Sequence, residues 1–337
     1  MRLKCMFIGL CVFSLVLSAC VSSLEGLDPL LECHEPPNFV DERYELVSLV
    51  FRLAGVYSHR TVSTVYQGKL NNQFSEFRNH PVVNYTTHNL HFGYDAVLNM
   101  AIHLEKADGR FALKDNINFL VAPLSGLTRW TDENATEFVE LLNDFYIETD
   151  FAAFYLEHTD YYLDHTARFI NEVYGAVNHE WFRRHGLNPD NLRAIVAPSD
   201  SRNAYASWLL GETLYDTVVY AVLPGAAYYG RFHPTVIHEY SHFIANPTAD
   251  KWYAENEVFR KWSDDSVDLE RLPTYSNGQI IAAEYVTRAY TILYMVENTG
   301  ADPKRLMLNE IAMGFPYIEE VYAMIYSTEP SSDPFYP

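Results

Sequence analysis

The residues whose spacing most directly supports chemistry are His238, Glu239 and His242, in the segment His238-Glu-Tyr-Ser-His242. In a helix, residues four apart lie on one face, so the two imidazoles would stand about 6 Å apart. Both could then reach one zinc ion, with Glu239 beside the water that such an ion activates. The spacing predicts a Zn²⁺ site with His238 and His242 as ligands and Glu239 as the general base.

The sequence around this motif favours a buried helix over 234–246. Pro234 suits the first turn of a helix, and Asn246-Pro247 is expected to end it. Most residues between them are apolar or aromatic, and burying two histidines and a glutamate without partners would cost several kcal/mol. A metal ion would satisfy all three side chains. The alternative is a core helix whose histidines are hydrogen-bonded by other side chains.

A catalytic zinc site also needs a third protein ligand and an open position. Thr248 stands where a metzincin-like site would have a third histidine, so that pattern fails. Glu284 is the predicted third ligand, because a carboxylate in the apolar stretch 280–286 needs a strong partner. Arg288, one helical turn later, would orient or neutralise it. The alternative is a buried Glu284–Arg288 ion pair without a metal. Acidic residues in more polar stretches are expected to be solvated: Glu255, Glu257, Asp264, Asp265, Asp268 and Glu270.

Composition excludes several classes of protein. The 337 residues include 24 Lys+Arg and 44 Asp+Glu, which gives a formal net charge of −20. This charge argues against nucleic acid as a partner and against direct binding to anionic lipid. A hydrophobic fraction of 48% excludes intrinsic disorder. Four cysteines are too few for a scaffold built on disulfides.

The N-terminus predicts export and lipidation. Arg2 and Lys4 precede an apolar run from Met6 to Leu17, which is too short for a comfortable membrane span. The ending Leu17-Ser-Ala-Cys20 resembles a bacterial lipobox, which implies that residues 1–19 are a signal peptide and that Cys20 carries lipid. The alternative is an ordinary signal peptide cut nearby.

Residues 20–40 are predicted to form a lipidated tether, because they are rich in turn-forming residues and show little periodicity. The protein is therefore expected in the bacterial cell envelope, held by its lipid. Val21-Ser-Ser after the cysteine lacks the aspartate that marks inner-membrane retention in some bacteria. This favours the outer membrane, on its periplasmic or surface face.

Hydrophobic periodicity predicts an α+β domain over 41–330, with a mixed N-terminal lobe at 41–232 and a mainly helical lobe at 233–330. Helices are expected at 42–54, where Gly55 is the stop signal, and at 94–106, 134–147 and 160–185. Short strands are expected at Leu192–Ala197 and Thr217–Leu223. The later helices are predicted at 234–246, 251–262, 279–298, 304–313 and 317–326.

Taken together, the motifs resemble the gluzincin branch of zinc metallopeptidases, and more closely the bacterial lipoproteins grouped as domain of unknown function 4932. The resemblance covers most of the chain after the signal peptide. It is carried by the lipobox, Asp41-Glu-Arg-Tyr-Glu-Leu46, His238-Glu-Tyr-Ser-His242 with Asn246-Pro247, and Glu284-Tyr-Val-Thr-Arg288.

This resemblance implies a zincin-like fold in which the HExxH helix lies between the two lobes. It also implies a substrate-binding edge strand before the zinc helix, for which Thr217–Leu223 and the loop Pro224–Gly230 are the candidates. An ordinary core strand is the alternative.

The function predicted from these residues is hydrolysis of peptide bonds in a peptide or protein substrate by a membrane-anchored zinc enzyme. Tyr275, ahead of the Glu284 helix, is a possible donor to the oxyanion. The alternative is a surface or periplasmic lipoprotein that binds peptide or glycan without catalysis, which the high aromatic content would also suit.

Overall fold

The computed structural model describes residues 39–56, 59, 62–89, 95–115, 119–122, 127–200, 204–225, 233–268, 270, 272 and 275–328. The predicted signal peptide, the lipidated Cys20 and the tether up to residue 38 lie outside them and stay predictions. In the described part of the chain, no helix is both long and apolar enough to cross a membrane.

The described residues form an α+β fold, as the periodicity predicts. Its earlier helices are α1 (Glu42–Leu53), α2 (Val65–Gln73), α3 (Pro81–His88), α4 (Ala96–His103), α5 (Asp132–Glu148), α6 (Phe151–Glu157), α7 (Thr159–Glu172) and α8 (His179–Arg184). The strands are β1 (Leu104–Ala107), β2 (Arg110–Leu113), β3 (Leu120–Ala122), β4 (Leu127–Thr128), β5 (Leu192–Ala197), β6 (Tyr205–Leu209) and β7 (Val218–Pro224). The later helices are α9 (His233–Glu255), α10 (Glu257–Asp265), α11 (Gly278–Thr299), α12 (Pro303–Met313) and α13 (Ile318–Thr328).

The folded domain begins before Asp41. The Asp41 side chain caps α1 by accepting from the Arg43 N–H, and Gly55, at φ +75°, follows the last turn. Phe39 and Val40, which the sequence assigned to the tether, are nevertheless buried. The Phe39 N–H donates to Thr166 Oγ1 at 3.2 Å, which ties this segment to α7. Two apolar residues at the end of a polar stretch are too short a signal for periodicity to detect.

Two predicted helices are interrupted. The stretch 94–106 is helical only to His103, and the chain then forms the β1–β2 hairpin through Asp108 and Gly109. Both turn residues have positive φ, 50° and 78°, as tight hairpin turns require. The stretch 160–185 breaks after Glu172 and resumes only where the Asn178 side chain caps α8.

The prediction of an edge strand before the HExxH helix, α9, is wrong. The sheet has the order β5-β7-β6, with β7 parallel to β5 and antiparallel to β6. Both sides of β7 are therefore hydrogen-bonded, and it cannot accept an added strand. The strand that pairs with its second side, Tyr205–Leu209, was not predicted from the sequence. Of the loop predicted to follow β7, only Pro224 and Gly225 belong to the described residues.

The prediction that Asn246-Pro247 ends the zinc helix is also wrong, because Pro247 lies inside the continuous helix α9. An internal proline removes one backbone hydrogen bond and costs about 3 kcal/mol. Ala245 and Ala249, on either side of it, are fully buried, so packing holds both halves of α9 in one helix. The chain turns instead at Asn256, whose side chain caps α10.

A polar cluster buried around Glu45 holds α1 against the end of β5. The Glu45 carboxylate accepts from the Tyr66 hydroxyl at 2.8 Å, and from the Ser199 N–H and hydroxyl at 3.2 and 2.7 Å. Arg52, also on α1, donates to the Ser199 carbonyl at 2.5 Å. Burial raises the pKa of Glu45 to about 7, although the hydrogen bonds from Ser199 and Tyr66 oppose the shift.

The raised pKa makes this cluster a source of pH-dependent stability. The folded state keeps a proton on Glu45 that the unfolded chain loses near its ordinary pKa of 4.5, so this stabilisation is complete below that pH and is lost as the pH rises through about 7. Glu45→Gln cannot ionise, and its amide can still accept from Ser199. We expect the free energy of unfolding of Glu45→Gln, relative to that of the wild type, to increase by on the order of 3 kcal/mol as the pH rises from 4.5 to about 7. Urea titrations at several pH values measure this difference, and a constant difference would contradict the raised pKa.

Gly278, the first residue of α11, is in close contact with Asp264 at the end of α10. A Cβ at this position would lie 1.8 Å from Asp264 Oδ1 and 3.1 Å from its Cα. The Tyr253 hydroxyl donates to the same Oδ1 at 2.8 Å and helps to hold the carboxylate there. Glycine therefore allows the start of α11 to approach α10, fewer than two turns before Glu284.

We expect Gly278→Ala to destabilise the fold by about 1–3 kcal/mol, because the added methyl overpacks this contact. Gly68→Ala in α2 is the matched control, since its Cβ would meet only Val62 Cγ1, at 4.0 Å. That control should gain about 0.5–1 kcal/mol, as alanine does over glycine inside a helix. Urea denaturation of both variants measures the two effects, and equal stabilities would argue against the contact.

Candidate metal centre

The two helices α9 and α11 bring His238, His242 and Glu284 together. His238 and His242 lie on successive turns of α9, with ring centroids 4.8 Å apart and planes at 85°. His238 Nε2 lies 3.6 Å from Glu284 Oε2, and His242 Nε2 lies 3.6 Å from Glu284 Oε1. One ligand atom from each residue falls within 4.8 Å of the others, so this triad could hold a metal ion.

These distances fit a shared ion better than direct contacts between the side chains. At 3.6 Å neither imidazole–carboxylate pair is within hydrogen-bond distance. Ligands about 2.1 Å from a tetrahedral ion would lie about 3.4 Å apart, close to what is seen here. Two imidazole nitrogens and one carboxylate oxygen are also a donor set that zinc uses in enzymes. The residues present therefore fit a divalent metal ion.

The triad is also partly exposed to solvent. The side chains of His238 and His242 are each 17% exposed and that of Glu284 is 10% exposed. An open coordination position requires such access, whereas a purely structural site is closed by protein ligands.

The imidazole of His242 contacts two polar side chains on the side away from Glu284. Its Nδ1 lies 3.1 Å from Thr287 Oγ1 and 3.4 Å from Asn246 Oδ1. Asn246 is one turn beyond His242 on α9, and Thr287 is three residues beyond Glu284 on α11. The ring is therefore held from both helices.

Arg288 anchors Glu284 on the side away from the two imidazoles. Its Nη2 donates to Glu284 Oε2 at 3.2 Å and to the Tyr275 hydroxyl at 3.4 Å, while Nη1 donates to Glu310 Oε2 at 2.6 Å. The guanidinium carbon lies 4.1 Å from the centre of the Phe315 ring. This cation–π contact and the hydrogen bonds to three partners limit the orientations open to Arg288, and so help to fix the Glu284 carboxylate.

The surroundings of the triad shift two pKa values in opposite directions. Burial, and then the nearby His242 and Arg288, lower the pKa of His238 well below its ordinary value. A neutral imidazole is the form that binds a metal. Burial, and then the negative charge of Glu284, raise the pKa of Glu239 well above its ordinary value, against the opposing charge of Arg288. Glu239 is therefore placed to hold a proton.

Charge balance around the triad also favours a cation. Glu239 and Glu284 are buried and Glu310 is largely so, and Arg288 acts on all three carboxyl groups. With Glu239 protonated, Glu284 and Glu310 still outweigh Arg288 by one negative charge in a poorly hydrated environment, which is costly. A metal cation at the triad would offset this charge.

The structure thus brings together His238, His242 and Glu284, with Glu239 and Arg288 adjacent, where the sequence placed them. The predicted Glu284–Arg288 ion pair is present, but Glu284 also faces both imidazoles. Tyr275 lies on the Arg288 side of Glu284. Sequence reasoning missed three residues that support the site, namely Thr287, Asn246 as a partner of His242, and Glu310. Helical spacing from His242 and Glu284 could have indicated the first two, whereas Glu310 lies on a separate helix.

We expect the purified protein to bind one zinc per chain, and Glu284→Gln to lower zinc affinity by more than about 100-fold, the upper end of what losing an outer-sphere partner costs. A neutral amide is a poor ligand in place of the carboxylate. Glu270→Gln makes the same chemical change at an exposed acid before α11 and should leave the affinity unchanged. Metal analysis after dialysis and competition with a chelator measure both, and equal affinities would remove Glu284 from the ligand set.

A comparison of the chain with family models, curated proteins and solved structures found no match.

Proposed function

We propose that this protein is a zinc-dependent peptidase of zincin-like architecture, with His238, His242 and Glu284 as ligands. The observation that carries the proposal is the pair of 3.6 Å separations from the Glu284 carboxylate to the two imidazoles. They are too long for hydrogen bonds and suited to a shared ion. The partial exposure of the triad suits an open coordination position.

Zinc held by this triad would supply Lewis acidity toward a water molecule and a scissile carbonyl. In the proposed reaction Glu239 accepts the proton of the attacking water and passes it to the leaving amine. Two features suit it to this role. It is the neighbour of His238 in the chain, and burial together with Glu284 raises its pKa, so that it binds a proton readily.

Tyr275 is proposed as the donor to the oxyanion. Its hydroxyl accepts from Arg288 Nη2, which also donates to Glu284, so it lies two hydrogen bonds from a metal ligand. A hydroxyl that accepts from a guanidinium is polarised and becomes a stronger donor. A tyrosine hydroxyl that reaches the open coordination position would stabilise negative charge on a carbonyl oxygen of the substrate.

The proposed setting is the bacterial cell envelope. Residues 1–19 would direct export, and Cys20 would carry the lipid that holds the domain at the outer membrane. The chain up to residue 38 would then separate the folded domain from the membrane. A net charge of −20 argues against nucleic acid as a substrate.

Glu239→Gln is expected to keep zinc and to lower the cleavage rate of a peptide library by at least about 100-fold, because a neutral amide cannot take the proton. Glu255→Gln, an exposed residue at the end of the same helix, is the matched control and should cleave like the wild type. Mass spectrometry of the digested library measures cleavage.

Wild-type rates in Glu239→Gln would refute the assigned general base. A wild-type protein that binds zinc and peptides yet cleaves none would favour the non-enzymatic binding lipoprotein instead. Because the exchange of Glu for Gln preserves size, a change in zinc content is not expected.

A further inference from the structure

We propose that Thr287 is a positioning residue for the metal ligand His242. Its hydroxyl oxygen would hold the imidazole in the tautomer with the proton on Nδ1, so that the lone pair of Nε2 points into the triad. The inference rests on the zinc site of the proposed function, but it does not depend on peptide cleavage.

The Thr287 hydroxyl carries a single proton, which it can donate to one acceptor. Thr287 Oγ1 lies 2.8 Å from the Ala283 carbonyl and 3.1 Å from His242 Nδ1. A carbonyl oxygen can only accept, so the single hydroxyl proton of Thr287 is directed to Ala283. The oxygen then meets Nδ1 as an acceptor, which requires the proton to be on Nδ1. Asn246 Oδ1, at 3.4 Å, is a second acceptor on the same side.

With the proton on Nδ1, the Nε2 atom of a neutral imidazole is an acceptor. Nε2 lies 3.6 Å from Glu284 Oε1, which is also an acceptor, so the two atoms form no hydrogen bond with each other. A cation between them satisfies both. Because Thr287 is part of the protein itself, it would hold the imidazole ring in this tautomer before any metal binds.

The backbone of α11 explains why a threonine at this position serves the purpose. In a helix the threonine side chain divides between two rotamers, and a bond to the carbonyl four residues earlier selects one of them. Here the rotamer that bonds to Ala283 also directs the hydroxyl oxygen toward His242. Thr287 is fully buried, so bulk water does not compete for this contact. One turn of α11 thus supplies both a ligand, Glu284, and the outer partner of a second ligand.

A simpler view is that Thr287 only bonds back to its own helix, as buried threonines often do. Thr291 provides the comparison, because its hydroxyl donates to the Thr287 carbonyl at 2.9 Å in the same manner, one turn later. In the described residues Thr291 has no hydrogen bond to His242. The two threonines therefore separate the general effect of such a bond from the contact with the ligand.

The test compares Thr287→Val, Thr287→Ser and Thr291→Val in the full domain, with zinc affinity measured by chelator competition. We expect Thr287→Val to weaken zinc binding by about 10- to 100-fold, the range known for outer-sphere partners of metal ligands. Thr287→Ser keeps the hydroxyl and should rescue most of the affinity. Thr291→Val should bind zinc like the wild type. Thermal unfolding of the metal-free variants shows whether they are folded.

Nitrogen NMR of the metal-free protein gives a second readout, which does not depend on enzymatic activity. The wild-type His242 ring should show a protonated Nδ1, and Thr287→Val should show a mixture of tautomers. Equal zinc affinity in Thr287→Val and wild type, equal losses in Thr287→Val and Thr291→Val, or a wild-type ring protonated on Nε2 would each overturn the proposal.

Failure of the proposed function looks different. A wild type that binds zinc but cleaves no peptide, with the threonine series behaving as expected, contradicts the peptidase and supports the role of Thr287. A wild type without affinity for zinc overturns both, since His242 would not be a ligand.

Discussion

The arrangement of this protein depends on one carboxylate that must face two imidazoles across a helix pair. Glu284 reaches toward His238 and His242 at 3.6 Å each and also accepts from Arg288. A buried carboxylate with this many neighbours is stable only if every neighbour is held in place. Arg288 is held in turn by Glu310 on α12 and by the ring of Phe315. Residues well beyond the motif therefore determine whether the triad has its geometry.

Helices α9 and α11 each contain a residue that is locally unfavourable in a helix, which is consistent with the need to position the triad. α9 contains Pro247, which helices usually exclude, and remains continuous because Ala245 and Ala249 are buried on either side. α11 begins with a glycine, a poor helix former, because Asp264 occupies the space of a side chain there. In both helices packing outweighs local preference, and His242 and Glu284 each lie within two turns of the exception.

The sequence was sufficient for the triad because its signals are local. Spacing of four residues puts His238 and His242 on one face, and apolar neighbours mark Glu284 as a buried acid in need of a partner. The place of β7 in the sheet was not predictable, because it depends on β6, a five-residue strand without clear alternation. The contact of Thr287 with His242 depends on how α9 and α11 meet, which no spacing within one helix describes.

The two carboxyl groups at the centre, Glu239 and Glu284, differ in environment although they share a residue type. Arg288 contacts Glu284 directly, with Nη2 3.2 Å from Oε2. The same guanidinium lowers the pKa of Glu239, but burial and the negative charge of Glu284 raise it by more. The negative charge of Glu284 is thus one reason why the pKa of Glu239 is raised. A division of this kind, set by neighbours rather than by residue type, would suit the proposed roles of Glu284 as ligand and Glu239 as base.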